Sequence, residues 1–490
     1  MRKTSRWVVY LGISFFALVV VGLSLSTLPG QNYYNPYTGK KKPQANYNPF
    51  TGRGTPNKQS NPFTGRLPQQ RINPYTGRPI ANAPPNPLTN PGSSPQYSSG
   101  PGSIPQGKLP VTGKSGPGLD SLDRAILGIM NRHGIPGASL SVSKDGKLVY
   151  AKGFGWSHLE KGKKVLPETL FGLASLSKPI TAIAVLLLIE RGLLRLDDRV
   201  MDIIGHIRPP KGIPVQEKLK KVTIRQLLNH TGGWDRRKAG DPADWQPQIA
   251  RALNKPIPLS EKEFISFMMG VELDFEPGTQ NVYSNVGYIM LGEVIAKVSG
   301  ESYEDFIRKN VLQPSGIQQE LFNASSRNYT SNEAHRYLAG SLNPLPPMNL
   351  PMVQAAAGWS ISSVDMVRFL STLDGSRGKG LLKQGTYRLM LTAPPDPVKP
   401  RKDGSYNGLG WPSVKITEEG FMYSHDGSFH GMRTFARHKP NGVNWALMFN
   451  ISMTPDALDS RILQSSVKEI RQQVDLLKNY PDVDYFDEFK

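Results

Sequence analysis

A serine and a lysine three residues apart begin an apolar run in the segment "FGLASLSKPITAIAVLLLIERG", residues 171–192. Ser175 and Lys178 have the spacing of a nucleophile and its base, because residues three apart share one face of a helix. The free N–H groups and the dipole of a helix start would also stabilise negative charge on the serine oxygen. The same spacing recurs at Ser141/Lys144, Ser376/Lys379 and Ser465/Lys468. Spacing alone therefore leaves two interpretations open, a catalytic pair or a polar start to a core helix.

A second segment, "FEPGTQNVYSNVGY", places Tyr283 and Asn285 on a loop that precedes a predicted helix. A tyrosine can relay a proton, and an asparagine can donate and accept hydrogen bonds at a substrate amide. Lys178 would accept a serine proton only when neutral, a state that burial or a second nearby cation promotes. Tyr283 and Asn285 are therefore candidate partners of the pair, although a packed tyrosine and a turn asparagine explain the same residues.

A third segment, "YSHDGSFHG", places His425 and Gly427 at the end of a predicted strand. A glycine there would let a substrate acyl group lie along the strand edge. The backbone N–H groups of Ser175 and Ser428 would together form an oxyanion hole. His230 begins another His-x-Gly, but it precedes the tyrosine and lies at a helix end, so we assign the motif to His425. Taken alone, that histidine would be a surface or capping residue.

The three motifs follow one another in the order Ser-x-x-Lys, Tyr-x-Asn, His-x-Gly. Their pattern and order resemble the serine β-lactamase and penicillin-binding-protein superfamily, on its class C and serine-esterase side. The resemblance rests on five segments: "FGLASLSKPITA", "LLNHTGG", "FEPGTQNVYSN", "AAAGWSISSVDMVRFL" and "SHDGSFHG". It covers about residues 122–475 and none of the N-terminal arm.

The resemblance implies a mechanism and a set of site residues. Ser175 would attack a carbonyl group and form an acyl-enzyme. Lys178, together with Tyr283, would take the serine proton and pass one to the leaving group, and Asn285 would hold the substrate amide and steady Lys178. The N–H groups of Ser175 and Ser428 would stabilise the oxyanion, and Tyr283 would activate the water that releases the acyl group. No metal or other cofactor is required.

The third motif departs from the Lys-Thr-Gly of many relatives. Those relatives offer a cation and a hydroxyl to a substrate carboxylate, whereas this chain offers His425 and Asp426. If Asp426 points into the site, its carboxylate should repel an anionic substrate, which argues against an efficient β-lactamase. It does not exclude a carboxypeptidase, and the argument lapses if Asp426 points away.

Hydrophobic periodicity predicts the elements that position these residues. "ASLSVSKDGKLVYAKGFGWS" alternates apolar and polar residues around Asp145-Gly146, which indicates a β-hairpin. Residues three apart on a strand point to opposite faces, which argues against Ser141/Lys144 as a catalytic pair. An apolar helix with Pro179 in its first turn follows, then a helix-rich middle and further strands. We expect an α/β (α+β) fold, with one antiparallel sheet flanked by helices and a helical subdomain inserted in it.

Residues 1–30 are predicted to anchor the chain. Arg2, Lys3 and Arg6 precede a nearly uncharged run over residues 7–28, close to the ~20 residues that cross a bilayer. The basic flank predicts a cytoplasmic N-terminus and an exported body, so we expect a single-pass protein of the cell membrane. The alternative is a cleaved signal peptide followed by secretion, although the apolar run is long for one.

Residues 31–118 are predicted to be a disordered, Pro-rich, basic linker. They repeat "NPYTG" or "NPFTG" from Asn35, Asn48, Asn61 and Asn73, with a degenerate "NPLTN" from Asn86. One aromatic residue per repeat gives too little apolar surface to offset the entropy of ordering. The linker is either a solvated spacer or a segment that touches an anionic wall polymer or membrane surface. "LPVTG" from Leu109 is taken as a chance match to a sorting signal.

Charge supports this division of the chain. Residues 1–118 contain 13 of the 59 Lys and Arg residues and none of the 39 Asp and Glu residues. The excess charge therefore belongs mostly to an exported arm, and nucleic acid is not an expected partner. The remaining boundaries place a hydrolase domain at residues 119–479 and a tail at 480–490. The chain has no cysteine, which excludes disulfides and thiolate metal ligands.

The functional hypothesis is an exported, membrane-tethered serine hydrolase that cleaves ester or peptide bonds of a small-molecule or peptide acyl donor. Peptidoglycan peptides are a candidate substrate. One alternative is a weak penicillin-binding D,D-carboxypeptidase or β-lactamase. Another is a catalytically inert descendant that binds wall peptides through the same cleft. A third is an interaction protein whose repeat arm is the functional part.

Overall fold

The structure is a computed structural model in which the predicted anchor and almost all of the predicted linker lie outside the described part. The described residues are 108–322, 328–338, 342–452 and 458–489, with the backbone alone for 458–466. Within these ranges, no helix combines the length and the apolar character needed to span a bilayer.

The strands come from the beginning and the end of the described chain, with short ones between them. In chain order they are β1 Val111–Ser115, β2 Gly137–Lys144, β3 Lys147–His158, β4 Lys163–Lys164, β5 Phe171–Gly172, β6 Leu321–Phe322, β7 Tyr337–Leu338, β8 Trp359–Ile361, β9 Ser413–Thr417, β10 Gly420–Phe429, β11 Met432–His438, β12 Val443–Phe449 and β13 Ile451–Ser452.

The main sheet is antiparallel, in the order β1-β3-β2-β12-β11-β10-β9, and β4 also pairs with β3. β2 and β3 form the predicted hairpin, whose turn residues Asp145 and Gly146 have positive φ values of 48° and 77°. β12 pairs with β2 from Val443 opposite Lys144 to Phe449 opposite Ala138. This pairing joins the first strands to the last ones, so the prediction of one antiparallel sheet built from both ends is confirmed.

The helices lie on both faces of the sheet and in a large insertion. In chain order they are α1 Asp120–His133, α2 Ser177–Glu190, α3 Val200–Ile204, α4 Ile224–Leu228, α5 Arg236–Ala239, α6 Gln246–Leu253, α7 Glu261–Met268, α8 Asn285–Ser299, α9 Tyr303–Ile307, α10 Gln354–Ala357, α11 Ser363–Leu373, α12 Gln384–Met390 and α13 Leu458–Leu476. α1 and α13 pack together on one face of the sheet, and α11 covers β2 and β12 from the other.

Apolar residues and serines alternate along β2, so that its two faces pack against different helices. Its apolar side chains enter the core beneath α1, whereas its serines face α11. Ser139 and Ser141 each lie 2.7 Å from the Ser363 hydroxyl, and Ser143 lies 2.9 Å from the Ser371 hydroxyl. Buried hydroxyls that pair with each other avoid the cost of unsatisfied donors. The contact also gives Ser141 a structural role.

The inserted helices position the site. α2 is apolar on all sides, and most of its residues are buried at the centre of the larger core. α8 packs against α2, and the 3₁₀ turn Ala174–Leu176 that precedes α2 lies beside β10. The start of α2, the start of α8 and the end of β10 therefore meet, and these are the three places where the sequence motifs lie.

The predicted N-terminal boundary of the folded body was wrong. β1 pairs with β3 from Val111 opposite Phe154 to Ser115 opposite Tyr150, so the segment around residues 109–118 belongs to the body and not to the linker. The Thr112 hydroxyl donates to the carbonyl of Val165 at 2.6 Å, and Leu109 is buried. "LPVTG" is thus the beginning of an edge strand. Its alternation was too weak to be recognised, because most of its side chains stay accessible.

The residues that follow α13, which the sequence analysis set apart as a tail, fold back onto the body. The Phe486 side chain is fully buried. The backbone N–H of Tyr485 donates to the carbonyl of Leu148 at 2.9 Å, and Arg368 donates to the carbonyl of Phe489 at 2.6 Å. From the sequence this short acidic segment is predicted to be a tail, although it contains the aromatic residues Tyr485, Phe486 and Phe489.

Candidate active site

Ser175 lies in the 3₁₀ turn directly before α2, as the sequence predicts. Ala174 precedes it with a φ of 48°, a left-handed conformation that costs roughly 1 kcal/mol or more for a residue with a Cβ. The turn holds Ser175 Oγ at 3.2 Å from Lys178 Nζ. The two side chains are therefore within reach of direct proton transfer.

The other Ser-x-x-Lys pairs have different surroundings. Ser141 is buried between β2 and α11, where it pairs with Ser363. The Ser376 hydroxyl donates to the carbonyl of Ser371 at 3.2 Å, on the turn that follows α11. The side chain of Ser465 lies outside the described residues. Of the pairs whose side chains are described, Ser175/Lys178 is the one joined by a hydrogen bond.

Lys178 is fully buried, and burial lowers its pKa from the ordinary range to about 7. The charge of Arg236 lowers this pKa further, whereas the carboxylate of Asp241 raises it. Besides Ser175, Lys178 Nζ contacts Asn285 Oδ1 at 2.7 Å and the carbonyl oxygen of Ala356 at 3.0 Å. A neutral amine has two N–H groups and one lone pair. Because the amide and carbonyl oxygens can only accept, they take both N–H groups, and the lone pair faces Ser175 Oγ.

Asn285 is the first residue of α8, and a buried carboxylate orients its side chain. Asn285 Nδ2 donates to Asp241 Oδ2 at 3.0 Å, and its backbone N–H lies 3.4 Å from the same oxygen. Since a carboxylate only accepts, the amide NH₂ must face Asp241 and the amide oxygen must face Lys178. Asp241 also accepts from the backbone N–H of Ala243 at 3.0 Å, which fixes the carboxylate itself.

Tyr283 lies between the serine and the histidine of the third motif. Its hydroxyl oxygen is buried and has no hydrogen-bond partner of good geometry among the described residues. Burial raises the pKa of Tyr283 well above its usual range, and the nearby Ser175 hydroxyl only partly opposes this. The phenol therefore stays protonated near neutral pH, so it can relay a proton but does not serve as a resident base.

His230 clamps the tyrosine loop, a role that the sequence analysis missed. Its ring packs against the Tyr283 ring at a tilt of 35°, with 4.3 Å between ring centres, and its Nδ1 accepts from the backbone N–H of Ser284 at 3.3 Å. Burial, reinforced by the charge on Lys178, holds the pKa of His230 well below 6.5. The residue has a φ of 60°, a conformation that a histidine adopts more readily than most residues. The sequence signal for this role lies in "LLNHTGG", which places His230 at a helix end, whereas the sequence analysis considered His230 only as an alternative to His425.

His425 closes the site as a neutral hydrogen-bond acceptor. Its Nδ1 lies 2.8 Å from the carbonyl oxygen of Asp426, so Nδ1 carries the proton. Burial, together with the charge on Lys178, lowers the pKa of His425 to about 3, so the ring is neutral. Nε2 is buried and has no partner within the described part of the chain. Nε2 therefore presents a free lone pair, and the centres of the His425 and Tyr283 rings are 6.2 Å apart.

Asp426 points away from the site. On β10, His425 and Gly427 are buried while Asp426 is exposed, as strand alternation requires. Its carboxylate pairs with Arg437 Nη1 at 2.5 Å on the outer face of the sheet. This carboxylate is therefore not placed to repel an anionic substrate, contrary to one of the two expectations from the sequence.

Gly427 has a steric role that differs from the one expected. A Cβ at this position would lie 2.2 Å from the carbonyl oxygen of Leu173 and 2.1 Å from Thr434 Oγ1. The Thr434 hydroxyl itself donates to that Leu173 carbonyl at 2.8 Å. The glycine thus lets β10 approach the segment that leads into Ser175. It places Ser428 on the part of β10 that β9 does not cover, because β9 pairs only with residues 420–424.

The structure therefore gathers the predicted Ser175, Lys178, Tyr283, Asn285 and His425 around one point, with Gly427 as packing and Ser428 at the strand edge. It adds residues that carried no recognisable motif. Asp241 orients Asn285, and the carbonyl of Ala356 holds Lys178. Within the described ranges, no three His, Asp or Glu side chains are grouped so as to hold a metal ion.

Comparisons with known proteins match most of the folded body. A family model described as Beta-lactamase matches residues 122–465. Penicillin-binding protein 4* of Bacillus subtilis (strain 168) is 28% identical over 323 residues, which cover 62% of this chain and 65% of that protein. Protein flp of Staphylococcus aureus (strain N315) is 30% identical over 232 residues, which cover 47% of this chain and 44% of that protein. The chain thus spans less than two thirds of the length of these relatives.

A solved structure shows the same fold. It is the octameric penicillin-binding protein homologue from Pyrococcus abyssi, with a TM-score of 0.58 and 26% sequence identity. The superposition covers 72% of this chain and 78% of that one. A mixed α/β fold, with helices around an antiparallel sheet, is thus common to this chain and that homologue.

Proposed function

Since the chain belongs to the Beta-lactamase family, we propose that it is a serine hydrolase that cleaves ester or amide bonds through an acyl-enzyme on Ser175. The observation that carries this proposal is the state of Lys178. It is fully buried, its pKa is lowered to about 7, and it lies 3.2 Å from Ser175 Oγ. A lysine held only by packing or as a surface residue would have no such partner.

Acylation begins with the neutral form of Lys178. Ser175 Oγ attacks the carbonyl carbon of the substrate and gives its proton to Lys178 Nζ. The backbone N–H groups of Ser175 and Ser428 stabilise the oxyanion that forms. As the bond to the leaving group breaks, the Tyr283 hydroxyl gives its proton to that group and receives one from Lys178. Tyr283 is protonated before and after this relay, which agrees with its raised pKa.

Deacylation follows the same route with water in place of the leaving group. Water attacks the acyl carbon, the Tyr283 hydroxyl accepts its proton while passing its own to Lys178, and the acyl–Oγ bond breaks. Ser175 Oγ recovers a proton from Lys178, and the acid is released. Asn285 keeps Lys178 in place throughout, because Asp241 fixes the orientation of its amide.

We propose an ester or a peptide as the acyl donor, with peptidoglycan peptides as a candidate. The names of two relatives include penicillin binding, which supports penicillin as a probe. The outward position of Asp426 removes the objection to anionic donors such as penicillin.

The location of the protein is a separate proposal. We propose that residues 7–28 anchor the chain in the membrane and that the basic linker spaces the exported body from it. The apolar run and its basic flank support this. Cell fractionation, with N-terminal sequencing of the recovered protein, tests this location. Recovery of the protein in the soluble cytoplasmic fraction would contradict it.

An acyl-enzyme experiment tests the proposed reaction. The full chain and its Ser175→Ala variant are incubated with p-nitrophenyl acetate and, separately, with benzylpenicillin, and intact mass is followed over time. An adduct on the parent alone is expected. A lasting penicillin adduct indicates a penicillin-binding peptidase, rapid loss with drug turnover indicates a β-lactamase, and an ester adduct alone indicates an esterase. The absence of any Ser175-dependent adduct would contradict the proposal.

A further inference from the structure

The third motif supplies no positive charge for a substrate anion. His425 is neutral and offers a lone pair at Nε2. Arg437, the cation nearest to it on the sheet, faces outward and pairs with Asp426. Lys178 gives its two N–H groups to Asn285 and to a backbone carbonyl. A carboxylate on the substrate would therefore need a cation from another element.

Arg236, the first residue of α5, meets this requirement. Its guanidinium carbon lies 5.8 Å from the centre of the Tyr283 ring, the same ring that lies 5.0 Å from Lys178 Nζ. Its side chain is 46% exposed, so a substrate can reach it. The nearest acidic oxygen, Asp241 Oδ2, is 3.9 Å away, which is beyond hydrogen-bonding distance. Within the described residues, no acceptor hydrogen-bonds to this guanidinium.

The next two residues of α5, Arg237 and Lys238, have basic side chains that pair with acidic residues. Arg237 binds Asp235 through two contacts, of 2.7 and 2.8 Å. Lys238 pairs with Asp274 at 3.4 Å and donates to its carbonyl at 3.2 Å. Three consecutive basic residues thus include two that are paired on the protein surface and one, Arg236, whose donors are open beside the catalytic tyrosine.

We propose that Arg236 binds a carboxylate of the acyl donor, so that this hydrolase prefers anionic esters or peptides to neutral ones. The planar guanidinium can hold a carboxylate through two parallel hydrogen bonds, which gives both affinity and orientation. His425 Nε2 then accepts an N–H or O–H from the same substrate. This inference deepens the proposed function and rests on it.

Matched pairs of substrates test the inference. p-Nitrophenyl butyrate and mono-p-nitrophenyl glutarate share a leaving group, but the second carries a carboxylate on the acyl side. Phenyl acetate and 3-carboxyphenyl acetate share an acyl group, but the second carries a carboxylate on the leaving group. The full chain is compared with its Arg236→Gln, Arg236→Lys and Lys238→Gln variants, the last being the matched loss of one charge from α5.

The readout is the ratio of kcat/KM for the anionic ester to that for its neutral partner. A ratio cancels any change in the pKa of Lys178, which affects both esters alike. We expect Arg236→Gln to lower this ratio about 10- to 100-fold in at least one pair, as for a lost charge-assisted hydrogen bond. Arg236→Lys should restore part of it, and Lys238→Gln should leave it unchanged. The pair that responds shows which side of the scissile bond carries the anion.

Two different failures can be distinguished. If the wild-type chain turns over the neutral esters in a Ser175-dependent way, but Arg236→Gln leaves both ratios unchanged, this inference is wrong and the proposed function stands. An equal response to Lys238→Gln would also overturn it, because the effect would then be a general loss of positive charge. If Ser175→Ala has no effect on any of the four esters, the proposed function fails, and this inference fails with it.

Discussion

At the scale of single residues, the chemistry depends on a chain of hydrogen bonds whose directions are fixed. Asp241 can only accept, so Asn285 turns its NH₂ group toward it and its oxygen toward Lys178. That oxygen and the carbonyl of Ala356 then occupy both N–H groups of the neutral lysine. The lone pair that remains faces Ser175. A residue with no recognisable sequence motif, Asp241, thus determines how the base meets the nucleophile.

The lowered pKa of Lys178 predicts the pH dependence of hydrolysis. The reactive form is the neutral amine, so kcat/KM for a neutral ester should rise tenfold per pH unit below about pH 7 and level off above it. His425 does not contribute to this limb, because its pKa is lowered to about 3. A rate profile between about pH 5 and pH 9 measures the limb, and a kcat/KM that stays constant down to about pH 5 would contradict the assignment.

Replacing Asp241 separates its charge from its hydrogen bonds. Asp241→Asn removes a negative charge that raises the pKa of Lys178, so the acid limb should move to lower pH. Asp241→Ala removes the acceptor of the Asn285 amide as well, and kcat/KM should fall about 10- to 100-fold, as expected for a buried group left unpaired. pH profiles of both variants provide the measurement.

Asp244→Asn is the matched control, because Asp244 lies in the same short turn, Pro242–Trp245, and has no hydrogen bond to Asn285. It should leave the plateau activity within about twofold. Equal losses in the Asp241 and Asp244 variants would show that the turn is merely being destabilised.

At the scale of elements, the site depends on how closely β10 approaches the turn before α2. The backbone of Gly427 packs against the carbonyl of Leu173, and the Thr434 hydroxyl from β11 bonds to the same carbonyl. Residues of β10 and β11 therefore both contact Leu173, which lies two positions before Ser175. β9 does not pair with residues 425–429 of β10, and β10 contacts the 3₁₀ turn before α2.

A methyl group at residue 427 tests this contact. In Gly427→Ala the Cβ would lie 2.2 Å from the carbonyl oxygen of Leu173, so β10 or the turn must move. We expect a loss of about 1–3 kcal/mol in the free energy of unfolding, as for other overpacked sites. A fall of roughly tenfold or more in kcat should accompany it. Thermal unfolding and ester hydrolysis measure the two effects.

Gly385→Ala provides the comparison, since a Cβ there meets nothing within 4 Å and the residue lies in α12. Alanine favours a helix over glycine, so this variant should be equally or slightly more stable and fully active. An active, normally stable Gly427→Ala variant would show that the strand approach does not position Ser175.

The sequence predicted these elements unevenly, for physical reasons. The hairpin around Asp145 and the buried α2 had strong periodicity, and the structure has both. The three motifs also predicted which residues meet, because each lies at the end of a regular element. Asp241, Arg236 and His230 were missed, since they lie on turns or on the four-residue helix α5, where neither periodicity nor spacing indicates which way a side chain points.

At the scale of the whole molecule, the folded body extends further at both ends than composition suggested. β1 completes the edge of the sheet beside β3, and the segment after α13 covers the region around Leu148. Arg377 pairs with Asp484 at 3.0 Å, and its guanidinium lies 4.2 Å from the ring centre of Phe486. Both additions are held by backbone hydrogen bonds and one or two buried side chains, which do not show in hydropathy.

Removing the buried ring of the C-terminal segment tests its contribution. Phe486→Ala should lower the free energy of unfolding by about 3–5 kcal/mol, because the side chain is fully buried. Ile416→Ala is the control, since that side chain is 63% exposed and should cost less than about 0.5 kcal/mol. Denaturant unfolding of both variants gives the comparison. A near-neutral Phe486→Ala would show that the segment is not docked.

The corrected boundary also changes how the role of the repeat arm should be tested. A deletion that spares the sheet must end before Lys108, because the strand that follows forms part of the body. Deleting residues 31–107 should leave ester hydrolysis within about twofold, if the arm is a spacer or a surface-binding segment. A loss of hydrolysis would show instead that the arm takes part in the folded body or in the reaction.

The central claim is that Ser175 is a nucleophile activated by Lys178, and labelling with a fluorophosphonate tests it most directly. Such a probe reacts with an activated serine whatever the natural substrate, and peptide mapping by mass spectrometry locates the adduct. We predict one adduct on Ser175 in the wild-type chain, almost none in Lys178→Arg and none in Ser175→Ala. An adduct that persists in Ser175→Ala, or a wild-type chain that remains unlabelled, would contradict the account.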